Sequence, residues 1–439
     1  MNKTKKLSLI EVIAMAVGTM IGASIFSIFG LGAKLAGVNL PWAFLLSGIY
    51  AMAVAYSYAV LGSKIISDAG PMAFILKGLG DNLLTGTLSI LYWFSFIVSI
   101  ALFGKGFAGY FMPLFHVPLS QINTDLVITG LILFFTVLNF FGSKTVGKAE
   151  FWIVLIKLSI LLLFIVAGFQ FIQWNRLAPQ TDPAHLKGLL NASIVFFLSY
   201  MGFGLVTNTS ENMNHPQKNV PRAIFISIFI VMLFYLGISV VTLGNLSVPQ
   251  IIKASENALA VAAEPFLGHW GFLLVSIGAV FSIASALNAT IYGGANIAFS
   301  LAKDGFLPKT FERKIWFNAP GGLYVTAGLG LFLALFFNLN AIAVITTAVT
   351  TMIYIFVLIG HYKNIDSFGG KKWIVKMNLV ILILVFLALM RYQWQTQKDA
   401  FAASWTIFAG AFILEYIYRK YYLRTFKNSR ILSGKLNQK

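Results

Sequence analysis

The hydrocarbon core of a bilayer is roughly 30 Å thick and needs about 20 residues of helix to cross it. In this 439-residue chain, apolar stretches of that length follow one another almost without interruption. They run near 9–33, 40–66, 86–112, 125–142, 151–172, 187–209, 222–243, 270–301, 322–338, 341–360, 374–392 and 402–419. A backbone in lipid must satisfy its own polar groups, and a helix does so within the segment. The pattern predicts an all-α integral membrane protein of about twelve transmembrane helices, with no room for a soluble domain. Most gaps are short, and Phe337-Asn338-Leu339-Asn340 reads as a tight hairpin. The longest, near 244–269, carries Pro249, Pro265 and an amphipathic stretch suited to a short surface helix. The basic N-terminus resembles the start of a signal peptide. The run behind it is too long and lacks an A-x-A-like cleavage site, so it reads as a retained first span.

Charge sets the orientation. Only 10% of residues are charged, yet the net charge is +18. With the N-terminus in the cytoplasm, Lys34, Arg176, Lys187, Lys253, Arg391 and Lys398 lie outside, and Lys105 and Lys157 fall within spans. The other 24 of the 32 Lys and Arg residues are then inside. Positive loops stay in the cytoplasm, so both termini are expected there and the span count is even. This accounts for the charge without nucleic acid. The basic tail 420–439 is expected to touch anionic lipid at the cytoplasmic face, with a plain orientation signal as the equal alternative. Compact length and short tails suggest a bacterial inner membrane. There are no cysteines, which excludes disulfides and thiolate metal sites. His116, His185, His215, His269 and His361 are scattered in or beside expected loops, so neither a metal site nor a cofactor is expected.

Two spans contain residues that disfavour helix. Gly18-Thr-Met-Ile-Gly22-Ala-Ser24 interrupts span one, and Ser199-Tyr-Met-Gly202-Phe-Gly204 interrupts span six. Glycine costs a helix about 1 kcal/mol relative to alanine. Each break alone is open to a simpler reading, since Gly18-x-x-x-Gly22 also marks close helix packing. Five spans separate the two, so the two helices enter from opposite sides, which predicts an inverted repeat. Interrupted helices at matching positions of two halves point to a transporter site. The expected organisation is one transporter domain over 1–439. It has a first repeat at 9–172, an inverted second repeat at 187–360, two further helices at 374–419 and the tail. Unwound backbone at membrane depth must line a cavity or meet a ligand. Amides near Gly22, Ala23 and Ser24 suit a carboxylate. Carbonyls near Met20 and Met201 suit an ammonium, and a zwitterionic amino acid offers both groups. Met20, Ile21, Gly22, Ala23, Ser24, Leu198, Met201, Gly202 and Phe203 are thus the candidate binding residues.

Three motifs in order, on twelve spans, resemble the amino acid–polyamine–organocation family of permeases over nearly the whole chain. They are Gly18 to Phe26, the stretch MGFGLVTNTSENMNHPQKNVPRAI with Glu211, Pro216, Pro221 and Arg222, and Ala302-Lys303-Asp304-Gly305-Phe306-Leu307-Pro308. The resemblance implies the leucine-transporter fold, with helices 1 and 6 unwound at the centre. Ser24 stands where the family has a glycine, Gly204 where many members have a glutamate, and His215 where they have asparagine. The Ser24 hydroxyl can donate a hydrogen bond or narrow the site.

Lys157 lies about 9 Å into span five. An ionisable residue at that depth is a functional candidate, able to exchange a proton near working pH. The plainer reading is a lysine snorkelling to the surface. In proton-coupled members of the family a fifth-helix lysine stands near the first-helix break, and Lys157 matches it, with Ser282 and Ser285 as neighbours. Lys105 reads as a snorkelling residue near the external end of span three, with an anionic-substrate contact as its alternative. Trp93, Leu198, Phe203 and Ile353 are expected to face an apolar pocket, with Phe203 as the family's gating aromatic and Thr290 as a polar contributor. No carboxylate is placed to meet a cationic side chain. The expectation is a secondary active transporter of a neutral L-amino acid, driven by protons, with an obligate exchanger as the alternative. A channel or nutrient receptor would be separated from it by accumulation against a gradient. No set of catalytic groups for an enzyme can be assembled.

Overall fold

The structure is a computed structural model that describes residues 6–141, 146–303 and 307–422. Span one opens with a capping box. The Glu11 amide donates to Ser8 Oγ at 3.3 Å, and the Ser8 amide donates to the Glu11 carboxylate at 2.7 Å. Helix α1 (Leu9–Met20) stops at Ile21-Gly22, and the span resumes as α2 (Ala23–Ser27) and α3 (Phe29–Ala36). Then follow α4 (Leu40–Lys64), α5 (Pro71–Leu79), α6 (Leu83–Leu114), α7 (Gln121–Leu138) and α8 (Val146–Phe169). Span six comprises α9 (Pro183–Phe196), a 3-10 segment Phe197–Gly204 and α10 (Leu205–Asn208). The remainder is α11 (Pro216–Asn245), α12 (Val248–Ala254), α13 (Ala258–Lys303), α14 (Gly321–Phe336), α15 (Leu339–Lys363), α16 (Ile365–Phe368), α17 (Lys372–Thr396) and α18 (Lys398–Tyr422).

Among the described residues, eleven helical stretches are long and apolar enough to cross a bilayer. The expected ninth span falls short. Its α14 has 16 residues, about 24 Å of helix. It is bounded by Pro320 on one side and by Asn338 on the other, whose side chain caps α15 by accepting from the Ala341 amide at 2.8 Å. It packs against α6, α7 and α13. The 244–269 stretch also differs from a helix lying on the surface. Ile251 of α12 is fully buried, and α12 packs over α3. Gly30 permits this, because a Cβ there would come within 2.9 Å of Ser255 Cα. Helix α13 begins twelve residues before the expected start of span eight and bends at Gly268, whose φ is +60°.

The two ends of the bundle are tied differently. One end holds the start of α1, the ends of α4 and α10, and the basic stretch Lys309–Lys314; it is called the basic end below. There Arg419 of α18 donates to Glu415 at 2.7 Å, to the Asn82 carbonyl at 2.9 Å, and to Asp81. Glu415, near the end of the last span, is fully buried beside Gly86. Removing the cation would leave a buried carboxylate without its ion-pair partner, which costs roughly 3–5 kcal/mol. Arg419→Ala is therefore expected to lower the thermal unfolding midpoint of the purified protein clearly. An unchanged midpoint would mean the pair carries no net stability.

Candidate functional site

The site grows from the interrupted spans. Ile21, Gly22 and Ala23 form the turn of span one and the start of α2. Carbonyls released around this turn are taken by side chains from other spans. Lys157 Nζ of α8 donates to the Gly18 carbonyl, and Ser282 of α13 to that of Ile21 at 3.4 Å. Tyr235 of α11 donates to Met20 O at 2.6 Å. Ser24 Oγ turns back to the same oxygen at 3.3 Å. Lys157 is 3% exposed, so it is packed inside the protein and does not reach the surface. Ser285 lies one turn along from Ser282 on α13.

Span six is not unwound as expected. Residues 197–204 tighten into 3-10 helix, whose i→i+3 bonds keep most backbone groups paired. Side chains reach this segment too. Tyr235 contacts Ser199 O at 3.0 Å and Tyr354 donates to Met201 O at 3.2 Å. Gly202 lies against span one, where a Cβ would sit 2.7 Å from the Met20 amide nitrogen. Tyr235 therefore touches both interrupted spans. Tyr235→Phe removes the donor from both carbonyls, at about 1–3 kcal/mol for a buried group left unsatisfied. A lower unfolding midpoint together with weaker substrate binding is the expected result; a midpoint equal to the parent's would show that the bridge is dispensable.

A cavity of about 190 Å³ lies beside these segments. Met20, Ser24, Leu198, Met201, Gly202, Thr290 and Ile353 line it, while the fully buried Ile21 and the buried Gly22 do not. Two further residues expected to face it are turned elsewhere. Phe203 is fully buried, stacked on Tyr354 with ring centres 5.7 Å apart. Trp93 donates from Nε1 to Thr326 Oγ1 at 2.9 Å and packs edge-on against Phe311. Sequence reasoning missed much of the wall. Tyr92, Ser95, Phe96, Ser99, Leu102 and Phe103 line it from α6, and Thr346, Thr350 and Tyr354 from α15. Both sets repeat at three and four residues, one face of a helix. The small hydroxyls within those stripes were the available signal. The lining contains no charged side chain among the described residues.

Polar contacts join the spans toward both ends of the bundle. Toward the basic end, Asn208 Nδ2 donates to Tyr92 Oη at 2.7 Å. Beyond it, the amide of Glu211 donates to Asp68 at 3.0 Å, and the amide of Asp68 donates back to Glu211 at 3.2 Å. Leu7 pairs by backbone with Asn212 and Asn214. Burial pushes the Asp68 carboxyl above its usual range; the Glu211 charge adds to this and the Glu211 amide opposes it. At the opposite end, Tyr110 donates to Phe26 O at 3.0 Å, and Lys105 is half-buried within electrostatic reach of Asp125 and Glu256.

The family model described as "Amino acid permease" matches residues 7–414. The chain belongs to the amino acid permease family. This permease is 58% identical, over 97% of its length and 98% of the relative's, to an uncharacterized protein of Methanocaldococcus jannaschii. It is 30% identical to the inner membrane transport protein YbaT of Escherichia coli, over 95% of this chain and 96% of that one. It is 26% identical to the methylthioribose transporter of Bacillus subtilis, with 82% of each covered. The permease is a multi-pass membrane transporter of amino acids and not an enzyme.

Proposed function

We propose that the protein carries a neutral L-amino acid by alternating access and couples that movement to a proton. The observation behind the substrate class is the uncharged cavity bounded by both interrupted spans. A guanidinium or ammonium side chain placed there would meet no carboxylate, and burying a charge without a partner is costly. The α-amino and α-carboxyl groups are assigned to the backbone and hydroxyls around Met20, Ser24 and Met201. Phe203 is read as a packing support for the cavity-lining Tyr354, and Trp93 as a support for the wall.

Proton coupling is assigned to Lys157, whose ammonium reaches the Gly18 carbonyl, with Ser282 at Ile21 and Ser285 a turn away. Losing that proton would remove a charge-assisted bond from the break and so link protonation to its geometry. Residues 9–172 and 187–360 are read as inverted halves that rock about the cavity. Their Lys and Arg distribution supports reading the basic end as cytoplasmic, where it would meet anionic lipid, and the membrane is read as the plasma membrane.

The test is uptake into liposomes containing the purified protein, without sodium, with and without an acid-outside pH gradient. The panel includes leucine, threonine, arginine and methylthioribose. Gradient-driven accumulation of a neutral amino acid is the expected result. Preference for arginine would overturn the substrate class. Uptake confined to substrate-loaded liposomes would make the protein an exchanger and remove the proton from the scheme.

A further inference from the structure

We propose that the basic end carries a site for the phosphate of an anionic membrane lipid, in the cleft between the last turns of α13 and the turn at 309–313. Phe299, Lys309, Thr310, Glu312 and Arg313 line this cleft. The Arg313 amide donates to Lys309 O at 3.1 Å, so the two basic side chains lie one turn apart on one face. Among the described residues, Lys303, Lys309, Arg313 and Lys314 form no ion pair, not even with Glu312 beside them. Among the described residues Glu312 is the one carboxylate lining the cleft, and it pairs with neither Lys309 nor Arg313, so two cations face the cleft uncompensated and suit a phosphodiester.

The surrounding hairpin indicates the source of that phosphate. It is held in a defined shape: Gly321 N donates to Arg313 O at 2.9 Å, Ile315 N to Ala319 O at 3.0 Å, and Tyr324 Oη to Trp316 O at 2.6 Å. Yet Ile315, Trp316 and Phe317 point outward, at 54%, 69% and 76% exposure. Apolar side chains fixed outward at the end of two spans belong in the headgroup layer, where tryptophan collects. Phe299, on the outer face of α13, is exposed beside the cations. The cleft thus offers cations and lipid-facing apolar surface together. A lipid uses both; free phosphate uses only the cations.

The test measures phosphatidylglycerol bound by the delipidated full-length protein, with phosphatidylcholine and inorganic phosphate as comparisons. One saturable phosphatidylglycerol molecule, not displaced by millimolar phosphate, is expected. Each basic residue near a membrane surface is worth a factor of roughly 5. Lys309→Gln should weaken binding about 5-fold, and Lys309→Gln with Arg313→Gln about 30-fold. The same charge loss in Lys371→Gln with Lys376→Gln, at the start of α17, should leave binding unchanged. Equal weakening by both double variants would reduce the site to diffuse attraction. Undiminished binding after Lys309→Gln, or displacement by phosphate alone, would overturn it.

Discussion

Lys157→Met abolishes pH-driven accumulation while the protein remains folded: this is the largest effect expected of any single substitution. Methionine keeps much of the lysine's length and packing but has no donor. The bond lost runs to the Gly18 carbonyl, at the last turn before span one breaks. A hydrogen bond to a charged group contributes about 1.5–3 kcal/mol, which corresponds to roughly 10- to 150-fold in an equilibrium constant. The variant should therefore bind substrate more weakly and lose the dependence of binding on pH. Two assays separate these effects. Accumulation under a pH gradient should vanish, whereas exchange in substrate-loaded liposomes should persist at a reduced rate. Parent-level accumulation by Lys157→Met would leave the lysine a packing residue only.

Gly202→Ala is expected to have the second largest effect, for a steric reason. An added methyl would sit 2.7 Å from the Met20 amide nitrogen and 2.9 Å from Met20 Cγ. The first of these is backbone and cannot swing aside, so the two interrupted spans must separate. Overpacking of this kind costs about 1–3 kcal/mol, or roughly 5- to 150-fold in substrate binding if the strain falls on the bound state. Gly204→Ala is the matched comparison. It lies two residues on, where the nearest atom to a new Cβ is Tyr58 Cε1 at 3.9 Å. Its binding should stay close to the parent's. Similar losses in both variants would point to a general intolerance of span six and away from the contact at Met20.

The spans were legible because crossing hydrocarbon demands a long apolar run. Their edges were less so: α14 is trimmed by Pro320 and the Asn338 cap, and α13 runs on through its bend at Gly268. The break in span one was also legible, since Gly22 marks its turn. Glycine content alone, however, did not distinguish a turn from a contact. Gly18 and Gly202 are both contact glycines, pressed against Val154 and Met20. Tightening into 3-10 helix leaves no compositional mark, so span six looked like a break of the same kind. The long wall supplied by α6 was hidden because much of that helix is buried whichever way it faces. Trp93 and Ser95 are two residues apart, yet only the serine looks into the cavity. Tyr235 escaped notice because its importance comes from span seven crossing both breaks, a property of the fold alone.

A tyrosine hydroxyl has one proton to give. Tyr235 Oη stands within reach of two carbonyls, Met20 O and Ser199 O, and can fully serve only one at a time. The balance is restored by Ser24, whose hydroxyl brings a second proton to Met20 O. Two protons then face two oxygens, and Tyr235 can turn toward span six without stranding span one. A glycine at position 24 would leave the count one short. The departure at Ser24 thus gives the pair of breaks two hydrogen-bonded arrangements of similar completeness, and movement between them need not expose a bare carbonyl.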